Sequence, residues 1–316
     1  MVILIAGWSA AWFFIESKVI EVADTAKTRL AERGQTFDCA DQATGGYPFR
    51  VTFDCSTLSY KNANSGFEIE TGAMRSVSQA YQPGKVVVEL DAPAAVETLA
   101  NGRFKVDWAS LRASLKLGLS GRERTSLVGK DFLITPLQDP SSISISGLEY
   151  HDRLSGENDV DVAVALIDLK ETSAATLDLI DFDLRTEATF KNIHDRFSRG
   201  RNLMDIIRQT GVKGNLQRFQ IAAQNGAQIG LSGPFDAGQN GLLNAKLKVE
   251  VTNLDALLRL LIFFNPAQEK AIIEGGKAVK LFAPADENGT RSVNLTIQDN
   301  VLKLGFIPIG RIPFWL

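Results

Sequence analysis

Apolar residues recur at every second position through most of the chain after Gln35, and that period admits few folds. Tyr47, Phe49, Val51, Phe53 and Cys55 alternate with Pro48, Arg50, Thr52 and Asp54. The same alternation runs through residues 86–90, 104–108, 111–119, 160–166, 219–223 and 243–251. Successive side chains of a strand point to opposite faces, so each run has one buried face and one wet face. Parallel strands are covered on both faces and read as unbroken apolar runs, so alternation specifies antiparallel pairing. Turn-forming strings separate the runs: Asn64-Ser65-Gly66, Gln82-Pro83-Gly84, Asn225-Gly226 and Gln239-Asn240-Gly241. The expected fold class is mainly β with added helices (α+β), built on one long curved antiparallel sheet. A body spanning 35–316 follows, elongated, with two lobes meeting near 140–175. Leu58-Ser59-Tyr60 before Phe67-Glu68-Ile69 resembles Leu148-Glu149-Tyr150 before Val160-Asp161-Val162, which suggests two similar halves.

Hydrophobic parity sets two registers. A two-residue loop at Asp299-Asn300 places Ile297 opposite Leu302, Leu295 opposite Leu304 and Val293 opposite Phe306, all on one face. At Asn225-Gly226 a three-residue loop that includes Ala227 places Ala223 opposite Ile229, with Gly226 at the left-handed position.

Helices are expected in few places. Residues 1–15 carry no charge and end in Trp12, Phe13 and Phe14, aromatics suited to a water–lipid boundary. This reads as an uncleaved membrane anchor with an exported body, or else as a buried first helix. Fifteen residues rise only about 22 Å against a hydrocarbon core of about 30 Å. No Lys or Arg precedes the run, and a start a few residues upstream would remove both defects. Across 16–34 the spacing becomes helical, with Val19, Val22, Ala23, Ala26 and Leu30 on one face and Gly34 as the stop. A short helix fits 202–209. A helical pair fits 254–280: an apolar helix from Leu254, capped by Asn253 and stopped by Asn265-Pro266, then a second from Pro266. The first of these either plugs the open side of the sheet or lines a lipid groove.

The net charge of −3 argues against nucleic acid as a partner, because phosphate neutralisation needs a strong basic face. The only two cysteines, Cys39 and Cys55, suggest one disulfide in an exported protein; a pair of free thiols in a cytosolic one is the alternative. Two thiols with only His151 and His194 make no metal-ligand set, and both histidines read as surface residues in polar loops. No cofactor motif is present, and no nucleophile–base constellation supports an enzyme. Glu157, Asp159 and Asp161 read as the wet face of a strand. A basic cluster, Lys191, Arg196, Arg199, Arg201, Arg208, Lys213 and Arg218, reads as solvated surface or as a contact for anionic headgroups.

The most specific string is GGYPFRVTFDC at 45–55, whose core is Gly46, Tyr47, Pro48, Phe49 and Arg50. With the N-terminal run, Cys39 and the tail at 302–316, it resembles a family of alphaproteobacterial envelope proteins defined by a domain of unknown function. The tail (Leu304 to Pro313) matches that family's ending loosely, with Phe306 where Pro is usual. A more distant similarity is to AsmA-like envelope proteins, through the anchor, the long antiparallel sheet and the string at 241–247. That likeness implies a sheet whose apolar inner face holds or conducts lipid. The expectation is therefore a protein anchored in the inner membrane, with its body in the periplasm. It would bind or transfer lipid or another amphiphile in envelope biogenesis or maintenance; the alternative is a non-enzymatic assembly partner of an envelope complex. Clean alternation nominates Phe49, Phe53, Leu115, Leu117, Leu247 and Val249 as groove residues.

Overall fold

The computed structural model describes residues 1–99, 102–118, 121–138, 141–172, 181–199, 201, 203–264, 266–305 and 307–312. Leu119, Asn202, Asn265, Phe306 and Pro313 lie outside them, as does the side chain of Ala26. The protein is mainly β: twenty strands belong to one antiparallel sheet, joined by an N-terminal helix and a few shorter ones. The chain divides into two compact units, Met1–Glu149 with Leu169–Leu179, and Tyr150–Asp168 with Ile180–Leu316.

Helix α1 (Val2–Ala31) opens the first unit as one unbroken element. Gly34 ends it in the left-handed region at φ 70, where its N–H bonds to the Ala31 carbonyl. The eleven strands that follow form a meander in which nearly every strand is broken at mid-length. They are β1 (Gln35–Ala40), β2 (Ala43–Gly45), β3 (Arg50–Cys55), β4 (Thr57–Asn62), β5 (Phe67–Thr71), β6 (Met74–Gln79), β7 (Gln82–Leu90), β8 (Ala94–Thr98), β9 (Gly102–Asp107), β10 (Ser110–Gly118) and β11 (Gly121–Pro136). One ladder runs β2–β3–β6–β7–β10–β11, and a second runs β1–β4–β5–β8–β9–β11. The two halves of β11 serve the two ladders in turn.

A crease separates the ladders, and its residues show why strands break there. Ser56, Gly72-Ala73, Asp91-Ala92-Pro93 and Trp108-Ala109 interrupt successive strands, and Asp131 bends β11 at φ 54. A Cβ on Gly72 would come 2.8 Å from the Asp91 carbonyl oxygen, so only glycine lets the strands approach this closely. Pro93 cannot donate to a ladder. The Trp108 indole spans the crease, donating to the Leu90 carbonyl at 2.8 Å.

Beyond the first unit, β12 (Ser142–Ser155) and β13 (Asp159–Thr172) are crossed by the unit boundary. The second unit continues with β14 (Phe182–Phe190), α2 (His194–Phe197), α3 (Leu203–Thr210), β15 (Val212–Ala223), β16 (Gln228–Ala237) and β17 (Leu243–Thr252). Then come α4 (Leu254–Phe264), α5 (Glu269–Phe282), β18 (Thr290–Gln298), β19 (Val301–Leu304) and β20 (Ile307–Arg311). From β14 to β20 each strand pairs with the next. The core gathers Val160, Ile193, Ile206, Ile207, Val212 and Ala237 beneath α2 and α3.

The β18–β19 hairpin has the expected register, with Ile297 opposite Leu302 and Leu295 opposite Leu304. Asp299 and Asn300 take φ 49 and 67, the left-handed pair that a two-residue loop requires. The β15–β16 loop differs from its expectation. Ile221 faces Ile229 and Ala223 pairs with Ala227, so the loop is Gln224-Asn225-Gly226. The Asn225 side chain accepts the Ala227 N–H at 3.0 Å, and Ala227 is buried, which draws it into the ladder. Parity is preserved, so the same residues face inward.

Two further corrections concern histidine and α1. His194 is buried at the start of α2, with its N–H on the Asn158 carbonyl, and His151 lies within β12. Neither occupies a polar surface loop. Val22 is exposed on α1, because the face that meets the sheet is Trp12, Ile15, Val19 and Ala23. The α4–α5 pair closes on itself through Lys280 and Asp255 at 2.6 Å and through Gly276, where a Cβ would strike Leu258.

Candidate functional site

The 46–50 string makes a tight turn that grips α1. Gly46 sits at φ 97, and a Cβ there would lie 2.8 Å from the Arg50 carbonyl oxygen. The Arg50 N–H returns to the Gly46 carbonyl at 2.9 Å and closes the turn. The carbonyls left facing outward are met by α1. Trp8 donates its indole N–H to the Pro48 oxygen at 2.9 Å, and Trp12 donates to the Arg50 oxygen at 2.6 Å. Residues four apart on a helix share a face, so two indoles at this spacing reach two carbonyls of one turn. Ser9 and Tyr47 share a hydroxyl–hydroxyl bond of 2.8 Å, Trp12 meets Tyr47 edge-on, and Phe13 stacks on Tyr47. Trp12 is then sealed against Val51 and Ala80. Two turns further along, Val19 and Ala23 cover the cluster of Phe53, Cys39 and Cys55. The two cysteines form a disulfide with Cα atoms 5.3 Å apart, tying β1 to β3 across the crease.

From this dock an apolar stripe continues along the first ladder. Directly opposed residues of antiparallel strands share a face, so the pairings can be read across. Val51, Phe53 and Cys55 are followed by Ser78, Ser76 and Met74, then by Val86, Val88 and Leu90, then by Leu115, Ala113 and Leu111. The α1 residues cover the β3 end. Across β7 and β10 the stripe is only half-buried. The opposite face carries Asp54, Arg75, Glu89 and Arg112 in one line, with Arg75 bidentate to Asp91 at 2.5 and 2.7 Å. That hydrogen bond holds the Asp91 carboxyl below its ordinary range, against the opposing effect of burial. Water therefore belongs on this side of the sheet.

The second ladder repeats the segregation. Tyr60, Ile69, Val96 and Phe104 share one face; Lys61, Glu68, Glu97 and Arg103 share the other. A cleft of about 310 Å³ on it is lined by the ion pairs Lys61–Glu68 and Arg103–Glu97, at 2.9 and 2.8 Å.

A family model described as an uncharacterized protein conserved in bacteria (DUF2125) matches residues 12–313. The chain belongs to the DUF2125 family. No curated protein and no solved structure matches it. The DUF2125 match begins at Trp12, which is buried in the dock.

The nominated groove residues of this DUF2125 chain fall in different places. Leu115 lies on the half-buried stripe and Leu117 at its exposed end. Phe53 is covered by α1, and Phe49 is exposed at the tip of the dock turn. Leu247 and Val249 belong to the second unit, where they oppose Leu295 and Val293. Sequence reasoning missed Trp8, Ser9 and Trp12 as partners of the motif. Their signal was the spacing of two indoles on one helix face, each N–H needing an acceptor when packed.

The acidic run and the basic cluster of the second unit meet at one pair, Asp159 and Lys191. Asp159 accepts from Lys191 at 2.6 Å and from the Asn192 N–H, which together hold its carboxyl below the ordinary range. Burial works against the Asp161 charge, but bonds from Thr189, Arg153 and Ser155 outweigh it and lower its pKa. Lys191, Arg196 and Lys213 line a cleft of about 790 Å³, where Lys213 pairs with Asp236 and Arg196 bonds to Thr210. Among the described residues no group of three His, Cys, Asp or Glu could hold a metal ion.

Proposed function

We propose that this DUF2125 protein is a tethered, non-enzymatic envelope module that binds or transfers lipid or another amphiphile. Its occupant lies along the half-buried apolar stripe of β7 and β10. The observation that carries the reading is the segregation of one sheet: half-buried aliphatic residues on one face, a charged line on the other. Apolar surface left half-covered on a stable sheet is free energy available to a ligand, at about 25 cal/mol per Å² removed from water. The tether is α1, whose first residues are apolar and exposed, and the disulfide suits an oxidising compartment. Inner-membrane anchoring with a periplasmic body, alphaproteobacterial origin and kinship with AsmA-like proteins complete the reading.

The test is lipid analysis by mass spectrometry of the purified full chain, compared with Ala113→Trp. Ala113 is central on β10, between Val88 and Leu127. An indole there fills the stripe without touching α1. Stoichiometric lipid in the wild type, lost in Ala113→Trp, supports the reading; equal lipid in both rejects the stripe as its seat.

A second reading, an assembly partner of an envelope complex, draws on the helical pair. Leu261, Ile273, Leu281 and Phe282 are exposed there. Pull-down of a stoichiometric protein that protects these residues from exchange would favour it.

A further inference from the structure

The dock fixes which end of the first unit is the end from which the helix leaves. Along α1, Trp8 and Trp12 meet Pro48 and Arg50, while Val19 and Ala23 meet Phe53 and Cys55. At the far end the Asn64 side chain donates to the Arg33 carbonyl at 2.9 Å. Helix and β3 thus run in the same direction, and residues 1–7 project beyond the start of β3 by about 10 Å. These projecting residues are bare: Ile3 is 86% and Leu4 79% exposed.

Other chain reversals reach the same end. The Ala80 N–H bonds to the Phe49 carbonyl, which sets Tyr81, at the β6–β7 turn, beside the dock. Leu117, near the end of β10, lies against Gly84 of the neighbouring strand. Around the emerging helix therefore stand Phe13, Tyr47, Phe49, Tyr81 and Leu117, between 46% and 65% exposed. The Arg50 side chain is exposed beside them and makes no ion pair among the described residues. Aromatic residues with a polar tip, next to an unpaired cation, are the composition of a water–lipid boundary.

We propose that this end of the unit is a membrane-docking edge. Tyr47, Phe49 and Tyr81 enter the headgroup–acyl boundary of an anionic bilayer, and Arg50 contacts lipid phosphate. The proposal rests on the reading of α1 as a tether. A bilayer is the occupant because the collar is continuous with the projecting apolar helix, and any membrane holding residues 1–7 meets the collar at once. Docking has a consequence for the stripe. Val86 and Leu115 are its residues nearest the collar, so the apolar face begins directly behind the headgroup–acyl boundary. An amphiphile could pass onto it without crossing water.

The test places p-benzoylphenylalanine singly at Ile3, Phe49, Tyr81 and Leu99 of the full chain. Leu99 is 83% exposed, lies against Gly66 and marks the opposite end. Each variant is reconstituted into phosphatidylethanolamine–phosphatidylglycerol vesicles and irradiated, and lipid adducts are counted. The expected result is adducts at positions 3, 49 and 81, with several-fold fewer at 99. Adducts at 3 but not at 49 or 81 overturn the docking edge and leave the tether standing. No adduct at 3 removes the tether itself. Equal yields at 49 and 99 overturn the edge in favour of unspecific adsorption. In Arg50→Gln the backbone carbonyl that seats Trp12 survives, so the yield at 49 should fall several-fold with phosphatidylglycerol present. An unchanged yield refutes the role of Arg50.

Discussion

Replacing Trp12 with alanine isolates the contact that holds α1 to the body. The side chain is 4% exposed and packs on Val51, Ala80, Ile15 and Val19. Truncating a buried aromatic to alanine costs about 3–5 kcal/mol. The Arg50 carbonyl also loses its donor, for which the net value of a hydrogen bond, about 1 kcal/mol, is the measure. Further along the helix, Val19, Ala23 and the Thr44–Glu16 bond of 2.7 Å remain, so the loss appears as local opening rather than global unfolding. At about 1.4 kcal/mol per tenfold, the smallest expected loss raises the open population roughly a hundredfold. The assay is hydrogen exchange by mass spectrometry on peptides covering residues 8–15 of the full chain. Trp12→Ala should exchange at least that much faster there. Trp12→Phe, which keeps most of the apolar contact and loses the bond, should lie about 1 kcal/mol from wild type. Exchange of α1 in Trp12→Ala at the wild-type rate would refute the dock as the holding contact.

Three further outcomes follow from the same contacts. Cys39→Ser with Cys55→Ser opens a loop of sequence separation 16 and should lower stability by about 3 kcal/mol in denaturant titration. Asn300 is 3% exposed, accepts the Leu243 N–H at 2.6 Å and donates to the Gly241 carbonyl at 3.0 Å; Asn300→Ala should therefore cost about 2–3 kcal/mol in the urea midpoint. Asp91 and Asp159 have folded pKa values below their ordinary range, so their stabilising contribution is present above that range and lost as pH falls through it. Stability measured from neutral pH down through the carboxylate range should fall, and less steeply in Asp159→Asn; an identical slope would show that the Lys191–Asp159 bond contributes nothing.

Alternation carried most of the fold because burial in a sheet is written at every second residue. The β18–β19 register was legible because Asp299-Asn300 marks the turn, and with that loop Ile297, Leu295, Leu302 and Leu304 share a face. At Gln224-Asn225-Gly226 two loop placements preserve the same faces, and parity cannot choose between them. The choice fell to the Asn225–Ala227 bond and the burial of Ala227, which are tertiary facts. The crease was illegible because Gly72 and Pro93 read equally well as ordinary turns between separate strands. Reading the 46–50 string alone gave its backbone shape and not its purpose, because its acceptors are carbonyls and their partners stand on α1. His194 sat in a polar-looking string, next to Ile193, which anchors the start of α2 in the core.

A crystal structure of the full chain, purified from membranes without delipidation, tests the central claim most directly. The account predicts elongated acyl density along Val88, Leu90, Ala113 and Leu115, entering from the end marked by Phe49 and Tyr81. A stripe closed by protein side chains, with no lipid density over β7 and β10, would contradict it.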